Sequence, residues 1–524
     1  MKFCLKNPVM PLLLVLSGML MALPFIFPVL GFLQWVSLVP AALVLILSAE
    51  NKEIKLRRLY FRGLLYFWSF YALSFHWFFY MYPLDFAGLS NGASIAVVMV
   101  ACFGLSLFQA AWSAFAFLLF AKISRSEVME HMTFAKPALA AALFVIFEWW
   151  QTFGWWGVPW GRLPIGQMNA ILFVRSSAVF GSYFVSFIIV AVNFCLAYLI
   201  LKTDMRRLFV AMAAGAFAIN LALGALVTLF YTESYSTVRV AAAQGNISSN
   251  EKWGSSYDLI TETYKDITEQ AAEDGADVII WPETALPYEL LGDDDLLEYL
   301  STMARENEII IIVSAFTEDG ESGMLANSMV EVKSDGSFGE AIYSKQNLVP
   351  FGEFVPMRKL ISFVFPPLSE IGMLSDDLLE GDESIVLQSN KGRIGCGICF
   401  DSIYETTILE SVQNGAQFIA IATNDSWFSD SAALDMHNSQ SRLRAIETGR
   451  YIVRSANTGI SSVIDPLGNV KCELGAGERG YVISDIELRE ARTVYSYIGN
   501  LFVYICIGFA ASIVILGRTK KDCE

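Results

Sequence analysis

The sequence predicts two parts of different kinds: an α-helical membrane domain of about eight spans, and one α/β domain attached to it. Three observations lead there. The 524-residue chain is 55% hydrophobic and only 17% charged, whereas soluble domains average roughly 25% charged residues. Apolar runs of bilayer-crossing length occupy both ends of the chain and are missing from its middle. Through that middle, from residue 236, strand-like and helix-like patterns alternate, which is how an α/β domain reads.

Charge divides the chain at the same places. Residues 1–231 carry 15 Lys and Arg against 7 Asp and Glu, a net of +8. Residues 232–495 carry 18 against 43, a net of −25, and residues 496–524 carry 3 against 2. The expected domains are therefore a membrane domain over 1–231 with spans one to seven, a catalytic domain over 232–495, and an eighth span with its tail over 496–524. The acidic middle argues against nucleic acid as a partner, and solubility is reason enough for its charge.

The spans are expected at about 8–23, 25–47, 59–82, 91–121, 137–153, 170–201, 208–231 and 496–517. A cleaved signal peptide is the other reading of the first run. It is set aside because a second apolar run follows at once and no small-x-small site ends the first. Lys52, Lys55, Arg57 and Arg58 follow span two, and Lys122 and Arg125 follow span four. Lys202, Arg206 and Arg207 follow span six, and Arg518, Lys520 and Lys521 follow span eight. Basic loops after every even span place both termini in the cytoplasm and the 232–495 domain outside it. Between spans, Trp149, Trp150, Trp155, Trp156 and Trp160 crowd a loop containing Gly157-Val158-Pro159-Trp160. An interfacial aromatic belt explains such a cluster, while Glu148 beside it is an ionisable group at the membrane border and points to function.

In the middle domain, strands are expected at 238–242, 278–280, 309–313, 394–399, 418–422, 451–455 and 460–464. Ile260, Tyr264, Ile267 and Ala271 recur at helical spacing, and further helices are expected near 403–413 and 438–447. In such domains chemistry sits just beyond the strand ends, and Glu283, Lys345 and Cys399 fall at such ends. Of eight cysteines, only Cys396, Cys399 and Cys472 lie in this region, an odd number that leaves a thiol free. A thiol is mostly protonated at neutral pH. It needs a carboxylate to take its proton and a cation to stabilise thiolate and oxyanion. Spacing alone makes this a weak grouping, because surface Glu and Lys are common.

Resemblance strengthens it. Trp281-Pro282-Glu283-Thr284, Lys345-Gln346-Asn347-Leu348-Val349-Pro350-Phe351-Gly352-Glu353 and Gly397-Ile398-Cys399-Phe400-Asp401 resemble the three signature blocks of the nitrilase superfamily. They are most similar to its apolipoprotein N-acyltransferase branch. Gln244-Gly245-Asn246, Lys252-Trp253, Asn327-Ser328, Asn424 to Phe428, Arg442 to Glu447, Arg454 to Gly459 and the Gly157–Trp160 block match as well. The resemblance implies an α-β-β-α sandwich, with Glu283 as general base, Lys345 as stabiliser of thiolate and oxyanion, and Cys399 as acylated nucleophile. It places Trp253, Asn327, Glu353 and Trp427 around them. The nucleophile is usually followed by Tyr-Glu in this branch; here Phe400-Asp401 follows, without the hydroxyl and with a shorter acid.

The resemblance further implies transfer of a fatty acyl chain from a membrane phospholipid, through a Cys399 thioester, to the N-terminal α-amine of a diacylated apolipoprotein. It implies no metal or organic cofactor, and a monomer in the bacterial inner membrane. Other readings carry less. Cys396 and Cys399 fit C-x-x-C, but on a strand, without the further Cys or His of a zinc site; Cys396 reads as a packed small residue. His437 reads as capping or packing, and Asp293-Asp294-Asp295 as a solvated turn. A membrane-tethered nitrilase or amidase would use the same triad with water as acceptor, but a small soluble substrate needs no set of spans. A non-catalytic scaffold would not need all three groups intact.

Overall fold

A computed structural model describes residues 9–84, 89–248, 252, 257–364 and 376–522. The chain forms two compact units: one of residues 1–79, 95–230 and 498–524, the other of residues 80–94 and 231–497.

The first unit is helical. Among the described residues, six helices are long and apolar enough to cross a membrane: Val9–Ile26, Pro28–Glu50, Asn91–Ser124, Thr133–Trp150, Ser182–Leu201 and Thr203–Leu229. The two other expected spans are shorter in apolar length. Helix Leu56–Ser74 opens with Arg57, Arg58 and Arg62, and helix Leu501–Asp522 is apolar only over Leu501–Gly517. The expected run 170–201 is broken at Gly181, whose φ of +78° ends the short helix Ser177–Phe180 before Ser182–Leu201 begins.

Several buried polar groups of this unit bond one another, which offsets the cost of excluding water. Asn193 accepts from the Leu38 N–H and donates to the Gln34 carbonyl. At one end Arg125 donates to the carbonyls of Ser48, Ala49, Asn51 and Ile54, Lys52 pairs with Glu130 at 2.7 Å, and Lys202 pairs with Glu50 at 2.9 Å. The basic loops after expected spans two, four and six thus meet at a single end of the unit. The Trp cluster divides. Trp160 is buried against Trp77, with ring centroids 5.3 Å apart, while Trp150, Trp155 and Trp156 are exposed. Glu148 is buried and accepts from the Leu163 N–H at 3.3 Å, which ties the loop after Trp160 to the end of its helix.

The second unit carries strands β1 (Thr237–Gln244), β2 (Val278–Ile280), β3 (Leu286–Glu289), β4 (Ile310–Glu318), β5 (Leu325–Val332) and β6 (Phe338–Ser344). These are followed by β7 (Val386–Ser389), β8 (Gly392–Ile398), β9 (Phe418–Thr423), β10 (Ile452–Ala456), β11 (Ser461–Ile464), β12 (Val470–Leu474) and β13 (Gly480–Glu487). One sheet runs β13-β1-β2-β4-β5-β6, with β3 also on β4; the other runs β12-β11-β10-β9-β8-β7.

Side-chain alternation makes four layers from these two sheets. Val240, Ala242, Ile280 and Ile312 of the first sheet pack against Cys396, Ile398, Ala420 and Val453 of the second. The intervening residues Ala241, Ile279 and Ile311 face Ile260, Tyr264 and Ile267 of helix Tyr257–Glu273 and Leu296 and Leu300 of helix Asp294–Glu306. On the outer face of the second sheet, Ile419, Ile421 and Ile452 pack with Ile408 and Val412 of helix Glu405–Gln413 and Ala445 of helix Ala433–Thr448. This is the expected α-β-β-α sandwich, and Cys396 is one of the small residues in its central layer. The acidic run 293–295 differs from expectation. Asp293 caps helix Asp294–Glu306 by accepting from the Leu296 N–H, and Asp294 and Asp295 occupy the first turn, where carboxylates suit the helix dipole.

Candidate active site

Three strand ends present the three expected groups. Trp281 follows β2 and is fully buried: its ring stacks on Tyr264 at 4.9 Å, and its Nε1 donates to Thr268. With Trp281 fixed and Pro282 next, Glu283 leaves the strand at a set angle. The turn continues through Thr284 at φ +43°, whose N–H is held by the Ser314 hydroxyl. Lys345 follows β6, its own N–H donating to the Asn327 carbonyl on β5. Cys399 follows β8 and opens the turn Cys399–Ile403 at φ +48°. That left-handed conformation costs a residue with a β-carbon about 1–3 kcal/mol, and it persists where the surroundings over-determine it.

Glu283 and Lys345 meet directly. Lys345 Nζ lies 2.9 Å from Glu283 Oε1 and 2.8 Å from Glu353 Oε1. Asn327 Nδ2 donates to the same two carboxylates, at 3.0 and 3.3 Å. The second oxygen of Glu283 accepts from the Asn424 N–H at 2.9 Å, and that of Glu353 from the Val349 N–H at 2.8 Å. Lys345 is 1% exposed. Burial alone would lower its pKa, but Glu283 and Glu353 outweigh this and hold it well above the usual lysine range. Burial raises Glu353, with Lys345 pulling the other way. The Cys399 thiol is pushed up by burial and further by Glu283, while Lys345 opposes both.

Asp401 explains its own place. Its fully buried carboxylate accepts from the Asn347 N–H and Nδ2 at 2.8 and 2.9 Å, from the Tyr343 hydroxyl at 2.7 Å and from the Ile398 N–H at 2.9 Å. Tyr343 and Asn347 flank Lys345, and Ile398 precedes Cys399, so one carboxylate ties the lysine segment to the cysteine turn. Burial raises the Asp401 pKa against those donors. Phe400 turns to Tyr404, edge to face at 5.6 Å. Trp427 lies half-buried in the turn Ser426–Phe428, three residues past Asn424. Trp253 lies outside the described residues.

Sequence reasoning quoted Lys252 within a matching block but gave it no role; its buried Nζ donates to the Glu283 carbonyl at 2.9 Å and to the Thr284 hydroxyl. Burial pushes this lysine down to about 8, with Glu283 and Cys399 pulling it back up. Behind Cys399, the ligand atoms of Cys399, Asp425 and His437 lie within 4.8 Å of one another, a spacing suited to a cation. Asp425 is already engaged, however: Oδ1 with His437 Nδ1 at 2.8 Å and the Thr423 hydroxyl at 3.0 Å, Oδ2 with Arg454 at 2.7 Å. A guanidinium on the same carboxylate makes this a hydrogen-bond network in place of a metal cage.

Known proteins resemble both units. A carbon–nitrogen hydrolase family model matches residues 239–495, and a model of the apolipoprotein N-acyltransferase N-terminal domain matches residues 17–195. An apolipoprotein N-acyltransferase of Geobacter metallireducens is 29% identical over 98% of this chain and 96% of its own length. One of Gloeobacter violaceus is 29% identical over 93% of this chain and 90% of its own. Among solved structures, an amidase of the nitrilase superfamily from Nesterenkonia AN1 aligns with 52% of this chain and 97% of its own, at 17% identity and a TM-score of 0.39.

Proposed function

We propose that this chain, which belongs to the apolipoprotein N-acyltransferase family, moves a fatty acyl chain from a membrane phospholipid to the N-terminal α-amine of a diacylated apolipoprotein. Cys399 carries the acyl group between them. The observation that carries this reading is the buried Glu283–Lys345–Glu353 contact, whose charges act on the Cys399 thiol at a strand end.

In the first half-reaction Glu283 takes the thiol proton as sulfur attacks the ester carbonyl of the phospholipid. A C–S bond forms, and the carbonyl oxygen becomes an oxyanion facing the Lys345 ammonium. The ester C–O bond breaks, Glu283 returns the proton to the departing oxygen, and a lysophospholipid leaves. In the second half the neutral α-amine attacks the thioester. Glu283 takes a proton from the attacking nitrogen and passes it to the leaving thiolate. Glu353 and Asn327 hold the Glu283–Lys345 pair in place, and the scheme calls for neither metal nor organic cofactor. The enzyme acts as a monomer in the inner membrane. The meeting of the basic loops at one end of the helical unit supports a topology with both termini cytoplasmic and residues 232–495 outside.

The test is mass analysis of a lipoprotein N-terminus made with and without the enzyme. A third acyl chain present only with wild type, and missing with Cys399→Ala, is expected. Ammonia released from small amides, with the lipoprotein still diacylated, would sink the reading.

A further inference from the structure

His437 lies on helix Ala433–Thr448, fully buried. Its Nε2 is 3.2 Å from the carbonyl oxygen of Cys399 and 3.0 Å from Ser402 Oγ, and the Ser402 hydroxyl donates to that same carbonyl at 2.8 Å. A carbonyl only accepts, and Ser402 has one hydrogen, which it gives to the Cys399 oxygen. A donor toward the Cys399 carbonyl requires the ring hydrogen on Nε2; Nδ1 then accepts from Arg454 Nη2, in keeping with burial and Arg454 lowering the His437 pKa. On the ring's other side, Asp425 Oδ1 is 2.8 Å from Nδ1, and Arg454 Nη2 lies 3.0 Å from Nδ1 while donating to Asp425 Oδ2. Burial alone would raise Asp425, but Arg454 and His437 together hold it well below the usual carboxylate range, so it is an ionised acceptor. The Phe428 and His437 rings meet nearly perpendicular, with centroids 6.1 Å apart.

We propose that His437 is a positioning residue for the nucleophile: anchored by Asp425 and Arg454, its Nε2–H and the Ser402 hydroxyl together grip the Cys399 carbonyl and hold Cys399 in its left-handed conformation. This rests on Cys399 as the nucleophile. Rotating the Cys399 carbonyl out of that grip relaxes φ from +48° and swings the thiol away from Glu283 and Lys345. Packing alone does not explain the arrangement, since an apolar side chain would fill the same space without leaving donors and acceptors to be matched. A metal site does not explain it either, given Arg454.

The test uses the full-length enzyme and two replacements. His437→Gln keeps an N–H within reach of the carbonyl, and His437→Leu keeps similar bulk without one. At saturating phospholipid, His437→Leu is expected to form acyl-enzyme about tenfold or more slower, the effect of losing one buried hydrogen bond, with KM for the phospholipid little changed. His437→Gln should recover most of the rate. An acylation rate for His437→Leu equal to wild type overturns the proposal, as does a His437→Gln variant that is as slow as Leu yet melts with wild type. Should His437→Leu fail to fold, Ser402→Ala removes the other donor to the same carbonyl. A clear fall in its acylation rate at unchanged KM supports the grip, and an unchanged rate overturns it. Alkylation of Cys399 by iodoacetamide, mapped by peptide mass with no lipid present, separates this from an error in the proposed function. Variants that alter Cys399 alkylation in an enzyme that acylates nothing leave the positioning intact and remove the acyl donor. Cys399 alkylation identical in wild type, His437→Leu and Ser402→Ala removes the positioning.

Discussion

At Cys399, opposing charges set the resting state. Burial and Glu283 raise the thiol pKa and Lys345 lowers it, so removing the two partners has opposite effects on the thiol. Glu283→Gln takes away a negative charge and lowers the thiol pKa, so iodoacetamide should alkylate Cys399 faster at fixed pH. Acyl transfer in the same variant should fall by roughly 10²–10⁴-fold, because the proposed general base is gone. Lys345→Met removes the opposing cation, so the rise of alkylation with pH should move to higher pH than in wild type. Alkylation that changes in the same direction in both variants would contradict this account of the site. Glu283, Lys345 and Cys399 were legible because each is a reactive side chain at a strand end within a recognisable block. Lys252, Asp425 and Arg454 stood only within matching blocks and His437 only as capping or packing, and what they do was not legible. Their roles come from hydrogen bonds across the fold, and a buried lysine on a backbone carbonyl looks in sequence like any surface lysine. The Phe400-Asp401 departure finds its reason only in three dimensions, where Asp401 gathers donors from the Lys345 segment and the cysteine strand.

That carboxylate joins elements, and it is at the scale of elements that its loss should be felt. Asp401→Ala leaves buried donors of Tyr343, Asn347 and Ile398 unmatched, at about 1–3 kcal/mol for each group left unsatisfied. A marked drop in melting temperature, together with slower acylation, is expected; a variant that melts with wild type would refute the tether. Asp293→Ala removes only a helix cap, at about 1 kcal/mol, and should lower the melting temperature slightly with acyl transfer unchanged. The strands read most easily from sequence were the central ones, such as β2, β4 and β9, whose unbroken Val, Ile and Ala runs reflect burial on both faces. Strands β6, β12 and β13 escaped because they are half-exposed and their charged and small residues blur any alternation. The Asp293 run looked like a turn because three acids in a row suit a turn and a helix start equally well.

Over the whole molecule, two solvents shape one chain: lipid selects the long apolar helices, and water selects an acidic, layered α/β unit. The third and eighth expected spans fall short of the six that qualify because arginines enter one and lysines end the other. The topology predicts that an impermeant maleimide labels Ser322→Cys in spheroplasts, above the background of the parent chain, and labels Glu53→Cys only after lysis. The reverse pattern would turn the molecule over. The central claim is that Cys399 carries the acyl chain, and the intact mass of the enzyme tests it most directly. Incubated with phospholipid alone, wild type should gain one fatty acyl mass, mapped to the Cys399 peptide, and lose it when a diacylated lipopeptide with a free amine is added. Cys399→Ser should gain none at a comparable rate. An acyl mass on another residue, or one that water discharges and the lipopeptide does not, would contradict the account.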